Sequence, residues 1–397
     1  MKSETIIVGS LNSVGNKNEK SSRQTQLTEE LIAVINDMAA GSGFADWGVA
    51  SLCDAVDEKT RQRYLSRMHE QGFAQMGYLE RNLGLRFNPQ ELVPGARSII
   101  VFLVPFGSNE RIDNPAPISV SNNECIDNPA PISVTSNEPL QDVINAVEST
   151  TCKTLADSNT ITPTVPDGMF CASQFALGQD YHKVIKGKLW NIMSEIRKLV
   201  PGFEGRAFVD SAPVLERYWA VKAGLGFIGK NNFLISPKAG IRNFIGCIIC
   251  NLNMPCSNLQ SSDNGPDAKA TSADPRTCQF TNPGDTLQTL ISANTCGNCR
   301  KCLDACPSGA LSAPFTIEVE KCISYRTIEA PDAPDTRRKI ISGELKEPGL
   351  AQTQKPTSIF GCDRCMDACP WNRFNLPGWS EFEPQALPVP ISHFHRR

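Results

Sequence analysis

No long apolar run occurs in this chain. Its densest stretches, Ile99 to Phe106 and Phe244 to Ile249, fall well short of the ~20 residues that a bilayer-crossing helix needs, so no transmembrane helix and no membrane partner are expected. Strong charge of one sign is also missing. Lys+Arg 39 against Asp+Glu 42 leave a formal net charge of -3, which excludes a whole-molecule positive field and confines any nucleic-acid site to a local patch. The opening MKSETIIVGSLNSVGNKNEKSS lacks a sustained apolar core after its lysine and does not read as a secretory signal. A cytoplasmic, monomeric protein is expected.

What is abundant is cysteine, with 16 in 397 residues. In a long chain without a leader, such cysteines point to metal or redox chemistry rather than to a disulfide framework. Half of them fall between Cys296 and Cys369.

Hydrophobic patterning divides the rest. Residues 1–26 are polar and are expected to be disordered. Thr28 is a candidate N-cap for a helix carrying Leu31, Val34, Ile35 and Met38, stopped by Gly41 and Gly43. Arg97 to Phe106 reads as a buried strand. IDNPAPISVSNNE at 112–124 recurs as IDNPAPISVTSNE at 126–138, and the span 107–167 reads as a surface insertion. Tyr181 to Leu199 has helical apolar spacing and ends at Pro201-Gly202. A short strand at Arg206 to Val209 and a helix at Pro213 to Ala223 follow, then a strand pair, Asn232 to Ser236 with Asn243 to Leu252. Residues 253–294 read as a linker, 295–376 as a separate cysteine domain and 377–397 as a Pro-rich tail. Alternating strands and helices argue α/β (α+β) for the first domain, 27–252.

Cys296-x2-Cys299-x2-Cys302-x3-Cys306-Pro307 is the bacterial ferredoxin spacing, in which three thiolates wrap one 4Fe–4S cluster and the fourth reaches the neighbouring one. Cys362-x2-Cys365-x3-Cys369-Pro370 mirrors it with one cysteine fewer, and Cys322 supplies the missing thiolate. Cluster one then takes Cys296, Cys299, Cys302 and Cys369; cluster two takes Cys306, Cys322, Cys362 and Cys365. Zinc leaves the Cys-Pro endings and paired triplets unexplained. Cys247 and Cys250 sit in an apolar strand and read as buried inert thiols. Gly224-Leu-Gly226-Phe-Ile-Gly229-Lys230-Asn231 imitates nucleotide fingerprints. It follows a helix rather than a strand, and Asn231 lacks a hydroxyl for Mg²⁺. Its glycines are expected to admit a flat or bulky ligand.

Several blocks together resemble the epoxyqueuosine reductase family: FVDSAPVLERYWAVKAGLGFIGKNNFLI at 208–235, CGNCRKCLDACPSGAL at 296–311, CISYRTIE at 322–329 and IFGCDRCMDACPWNRF at 359–374. YLERNLGLRFNP at 78–89, PGARSIIVF at 94–102 and FALGQDYHKV at 175–184 fit the same pattern. The resemblance implies a cobalamin-binding reductase domain followed by a two-cluster, ferredoxin-like 4Fe–4S domain. The implied activity is reduction of epoxyqueuosine to queuosine in a tRNA anticodon loop, with electrons from a flavodoxin- or ferredoxin-type donor passing through the clusters to cobalamin. It places the proton donor at Asp210, and Arg86, Ser173, Asp210, Ser324 and Asp363 toward the corrin. A donor role requires the Asp210 carboxyl to be raised by burial from its solvated value near 3.9; the competing role is a cap on the following helix. His182 reads as a polar helix-start residue. Lys183, Lys186, Lys188, Arg197 and Lys198 lie on one helix and suit either phosphate neutralisation or a solvated face. Phe227 stands where the family usually has tryptophan, FIGCI replaces an acidic stretch, and Arg326 replaces an apolar residue. The alternatives are a corrinoid reductase of another substrate, such as an organohalide, and a ferredoxin-type electron carrier, which has no use for the DSAPVLER and GKN blocks.

Overall fold

The computed structural model describes residues 17–53, 55–70, 72–107, 118–119, 170–256, 296–345, 357–384, 389–390 and 394. Most of the repeat insertion and of the 253–294 linker lies outside them. The first helix, α1 (Lys17–Ser42), begins well before the expected Thr28 cap. Gly43, at φ +79°, ends it.

Four strands form the central sheet: β1 (Asp46–Ser51), β2 (Ser98–Pro105), β3 (Gly205–Phe208) and β4 (Asn243–Cys250). Their order is β1-β2-β4-β3 and every pairing is antiparallel. The class is mixed α/β with the α+β arrangement rather than parallel crossovers. Every residue of β2 is buried, so the strand faces two cores at once. Ile100, Phe102 and Val104 point into one, with α1 and α2 (Tyr181–Leu199). Ile99, Val101 and Leu103 point into the other, with α3 (Glu216–Lys222). That alternation is the two-residue period of a strand buried on both sides.

Helix α2 supplies the largest wall. Asp180 caps it by accepting from the His182 amide at 3.0 Å, and Ile185, Leu189, Ile192, Met193 and Ile196 are buried along one stripe. Each fully buried aliphatic chain of this kind contributes about 1.5–3 kcal/mol, which makes α2 a rigid support for whatever its first turn presents.

The expected strand pair around Pro237-Gly240 does not form. Leu234–Ile235 instead pairs with Phe227–Ile228, while β4 joins the main sheet. The reason lies in the intervening residues: Ser236 and Gly240 bond to each other across a tight turn, which redirects the chain. Gly226 also departs from its expectation. A Cβ there would lie 2.1 Å from the Ile235 carbonyl oxygen, so the close approach is to the chain's own hairpin.

The cysteine lobe (296–345 and 357–384) is stitched to the sheet layer. Strand Thr357–Phe360 runs parallel to Phe170–Ala172. Asn375 accepts from the amides of Ile241 (2.9 Å) and Arg242 (3.3 Å). Trp379 and Phe382, in the segment read as a tail, belong to the first core, and the Trp379 indole donates to the Gly43 carbonyl at 2.6 Å. Among the described residues no helix is long and apolar enough to cross a membrane.

Candidate active site

Asp210 follows β3 with φ +55°, a left-handed conformation that Asp tolerates better than most side chains. The chain then makes two tight turns, Ser211 N–H to Val209 O and Val214 N–H to Ala212 O, before α3 begins. Leu215, not Asp210, holds the N-cap position of α3. The Asp210 amide instead donates to Glu216 Oε1 at 2.6 Å.

The carboxylate of Asp210 meets the first turn of α2. Tyr181 Oη donates to Oδ2 at 2.5 Å, and His182 Nε2 lies 3.7 Å from the same oxygen. The other ring nitrogen of His182 is 2.9 Å from Asp180 Oδ1. Imidazole is thus suspended between two carboxylates, and Tyr181 is stacked between His182 (4.0 Å) and Phe244 of β4 (4.2 Å).

Burial does not raise Asp210. The imidazole of His182 beside it holds the carboxyl below its ordinary value, against desolvation and with help from Tyr181. The same pairing raises His182 above its ordinary value. The side chain of Asp210 is 64% exposed although protein surrounds it densely, as expected for a group on the wall of an open crevice. The raised carboxyl is its neighbour: desolvation first, and the charge of Asp210 second, push Glu216 up to about 8.

A second wall faces this one. Tyr78 Oη donates to Glu329 Oε2 at 3.3 Å, and the ionisation of Tyr78 is pushed up by burial, then by Glu329 and Asp210. Arg86 is buried (7% exposed), donates to the Tyr78 carbonyl at 3.3 Å and has no partner for Nε. Asp210 and Arg86, both anticipated from sequence, therefore lie near enough to act on Tyr78 together, and Asp210 acts on Glu329 as well.

Ser173 and Asp363 are brought together elsewhere. Ser173 Oγ donates to Asp363 Oδ1, and Asp363 Oδ2 accepts from the Gln174 amide at 2.8 Å and lies 3.5 Å from Arg242 Nη1. Arg242 also pairs with Asp367. This buried network joins the sheet layer to the cysteine lobe. Ser324 is half-buried at the start of the turn Tyr325–Glu329 that carries Glu329.

The eight cysteines gather in one lobe. Cys302 and Cys369 each feel the charges of Cys296 and Cys299. Cys365 feels Cys362, Cys322 and Cys302, and Cys306 packs in one small cluster with Cys302 and Cys365. Burial pushes Cys369 up to about 11 and Cys362 up to about 12, and raises Cys302 and Cys365. No set of three or more His, Cys, Asp or Glu among the described residues is arranged for a single metal ion. Outside the eight, Cys247 and Cys250 are fully buried, and Cys250 is pushed up to about 12, consistent with inert thiols.

Sequence reasoning missed Tyr181, Glu216, Arg217, Tyr78 and Glu329, and placed His182 at the helix start without a partner. The available signal was the Asp-Tyr-His triplet at the mouth of an amphipathic helix. Of the basic residues on α2, Lys188 lies 3.2 Å from Glu381 and over the Trp379 ring, and Lys198 pairs with Glu195. Lys186 donates to Ser211 beside Asp210 at 3.0 Å.

The family described as a 4Fe-4S double cluster binding domain matches residues 295–372, and that described as epoxyqueuosine reductase QueG, DUF1730 matches 160–211. The chain is 30% identical over 352 residues to an epoxyqueuosine reductase of Leadbetterella byssophila, covering 88% of this chain and 83% of that one. To the Pseudomonas aeruginosa epoxyqueuosine reductase it is 35% identical over 54% of this chain and 47% of the other. Its fold is similar, at TM-score 0.54 and 23% identity over 91% of the chain and 69% of the other, to the crystal structure of an epoxyqueuosine reductase with a tRNA-Tyr epoxyqueuosine-modified stem loop.

Proposed function

The chain belongs to the epoxyqueuosine reductase family, and from that premise we propose that it reduces epoxyqueuosine in a tRNA anticodon loop, with Asp210 and His182 supplying the proton. Removing an epoxide oxygen as water and leaving an alkene consumes two electrons and two protons. The residues divide between these two needs.

Cys296, Cys299, Cys302 and Cys369 would hold one 4Fe–4S cluster, and Cys306, Cys322, Cys362 and Cys365 the other; the ferredoxin spacing supports this assignment, as does the nearness of Cys369 to Cys296, Cys299 and Cys302. Cobalamin suits the crevice beside Asp210, because a buried guanidinium with an unpartnered Nε, Arg86, offers a donor that a polar cofactor can satisfy. Bound there, the corrinoid supplies low-valent cobalt and the clusters supply electrons one at a time. Ser173 and Asp363 would support that site through their bond to each other rather than through free polar atoms.

The protein's own task is proton delivery to a departing oxygen, since an alkoxide is a poor leaving group. His182, raised by its two carboxylate neighbours, holds the proton at Nε2. Asp210 Oδ2 accepts it when water is displaced from the crevice, because desolvation favours the neutral acid. Tyr181 Oη orients that oxygen. The carrying observation is this Asp180–His182–Asp210 chain on the crevice wall. A ferredoxin-type carrier would have no use for it.

The test is nucleoside analysis of tRNA from a deletion strain complemented with wild type or Asp210→Ala. Epoxyqueuosine should accumulate in the deletion and persist with the variant, while the purified variant keeps its iron. Full clearance by Asp210→Ala would remove this residue from the reaction.

A further inference from the structure

The turn that follows Gly229 touches both cysteine loops but places a charge on only one. Lys230 Nζ donates to the carbonyls of Gly297 (2.6 Å) and Cys299 (2.8 Å). Its neighbour Asn231, buried at 4% exposure, donates Nδ2 to the Cys365 carbonyl at 3.2 Å. The turn is anchored from two further sides. The Phe315 amide donates to the Lys230 carbonyl at 2.9 Å, and Arg217, from the same α3 that carries Glu216, donates to the Asn232 carbonyl. An ammonium group therefore stands inside the loop Cys296–Cys302, and a neutral amide occupies the corresponding place at Cys365.

The local charges around the second group offset one another. Asp363 and Arg364 both act on Cys362, with opposite signs, and Asp363 is itself paired with Arg242 at 3.5 Å. Around the first group Arg300 lies 3.6 Å from Asp304 and Lys301 is exposed at the surface, whereas the Lys230 ammonium is bonded directly to carbonyls of the loop. We propose that Lys230 raises the reduction potential of the cluster held by Cys296, Cys299, Cys302 and Cys369 above that of its neighbour, giving the pair a preferred direction for electrons. The inference rests on the cluster assignment above.

The physical reason is Coulombic. Adding one electron makes a cluster more negative by one charge, and a fixed positive charge a few ångströms away in partly buried surroundings favours that state. Net charge and hydrogen bonding near the sulfurs are established controls of cluster potential. No bond is made or broken: one electron arrives from a low-potential flavoprotein or ferredoxin, rests on the higher-potential cluster and leaves. Lys230 is thus a positioning and tuning residue rather than a catalytic one.

Three substitutions separate charge from hydrogen bonding. Lys230→Gln keeps a donor without charge, Lys230→Arg keeps the charge, and Lys230→Met removes both. Holoprotein purified anaerobically would be assayed for iron and sulfide, then titrated with dithionite while the reduced clusters are followed by EPR. In Lys230→Gln, with iron unchanged, one midpoint potential should become more negative and the other stay in place; Lys230→Arg should resemble wild type. If Lys230→Met loses iron, Lys230→Gln carries the measurement. Unchanged potentials in iron-replete Lys230→Gln, or equal shifts in both clusters, would overturn the proposal. Stoichiometric zinc in wild type would instead sink the cluster assignment on which it rests.

Discussion

The crevice around Asp210 and the lobe around the eight cysteines solve opposite electrostatic problems. At the crevice, opposite charges face each other in contact with water: Asp210 is held low and His182 high by their mutual ion pairing. In the lobe, like groups are crowded and buried, and burial drives their thiols upward, to about 12 at Cys362. The crevice is supported from behind by a sheet buried on both faces. Two four-residue helices, Lys301–Asp304 and Arg364–Asp367, frame the cysteines, and helices so short do not stand alone. Metal makes the thiolate the favoured form. The crevice is therefore organised by the fold itself, whereas the lobe is expected to gain further order from its occupant.

The sharpest way to break that contrast is to empty the lobe. Cys365→Ala should lower iron from about eight toward four per chain and abolish turnover. Chelation of all iron should release amide protection across 296–345 and 357–384 while β2 and β4 stay protected, as read by hydrogen exchange. Equal loss in both regions would show that the sheet layer also needs the metal. Next, Asp210→Asn should cut kcat by about 10²–10⁴-fold with iron content intact, a separation that no cysteine variant can show.

Smaller effects sharpen the crevice side. His182 is raised, so its imidazolium is present at low pH and is lost as pH rises through that raised value. The wild-type rate should fall along that limb, and His182→Gln should reduce the rate about tenfold and flatten it. A retained limb would assign it to another group. Tyr181→Phe removes one hydrogen bond, costing about 1 kcal/mol or roughly fivefold in kcat, with iron and KM unchanged. The smallest effect concerns stability. Glu216 is raised to about 8, so its stabilisation is full below its unfolded value near 4.5 and declines as pH rises toward 8. Denaturant midpoints of Glu216→Gln should decline less than wild type over that window.

Much of this organisation was legible beforehand, for identifiable reasons. Ferredoxin spacing marks the lobe's cysteines as one set, and Cys369 lies near enough to Cys296, Cys299 and Cys302 to feel their charges although it is far along the chain. Tyr181–Leu199 was readable to the residue because its apolar period and its Pro-Gly stop agree with its burial. The strand pair at 232–252 failed because β propensity says that a segment is extended, not which strand it joins. His182 was underrated for a related reason: a histidine at a helix start is ordinary until a second segment brings a carboxylate to it. The expected upward shift of Asp210 failed on the same partner, whose charge outweighs desolvation.

Composition and spacing alone determined the mixed α/β class and the eight thiols, while the family and the aspartate in DSAPVLER followed from the resemblance of whole blocks of sequence. These are local properties, carried by neighbours along the chain. Tertiary structure decided that Asp210 answers to His182, that Ser173 bonds to Asp363, and that Lys230 reaches the Cys296 loop. Each of these joins segments remote in sequence. The strength of a charge–charge or hydrogen-bond contact depends on a separation of a few ångströms and on burial, which only packing sets.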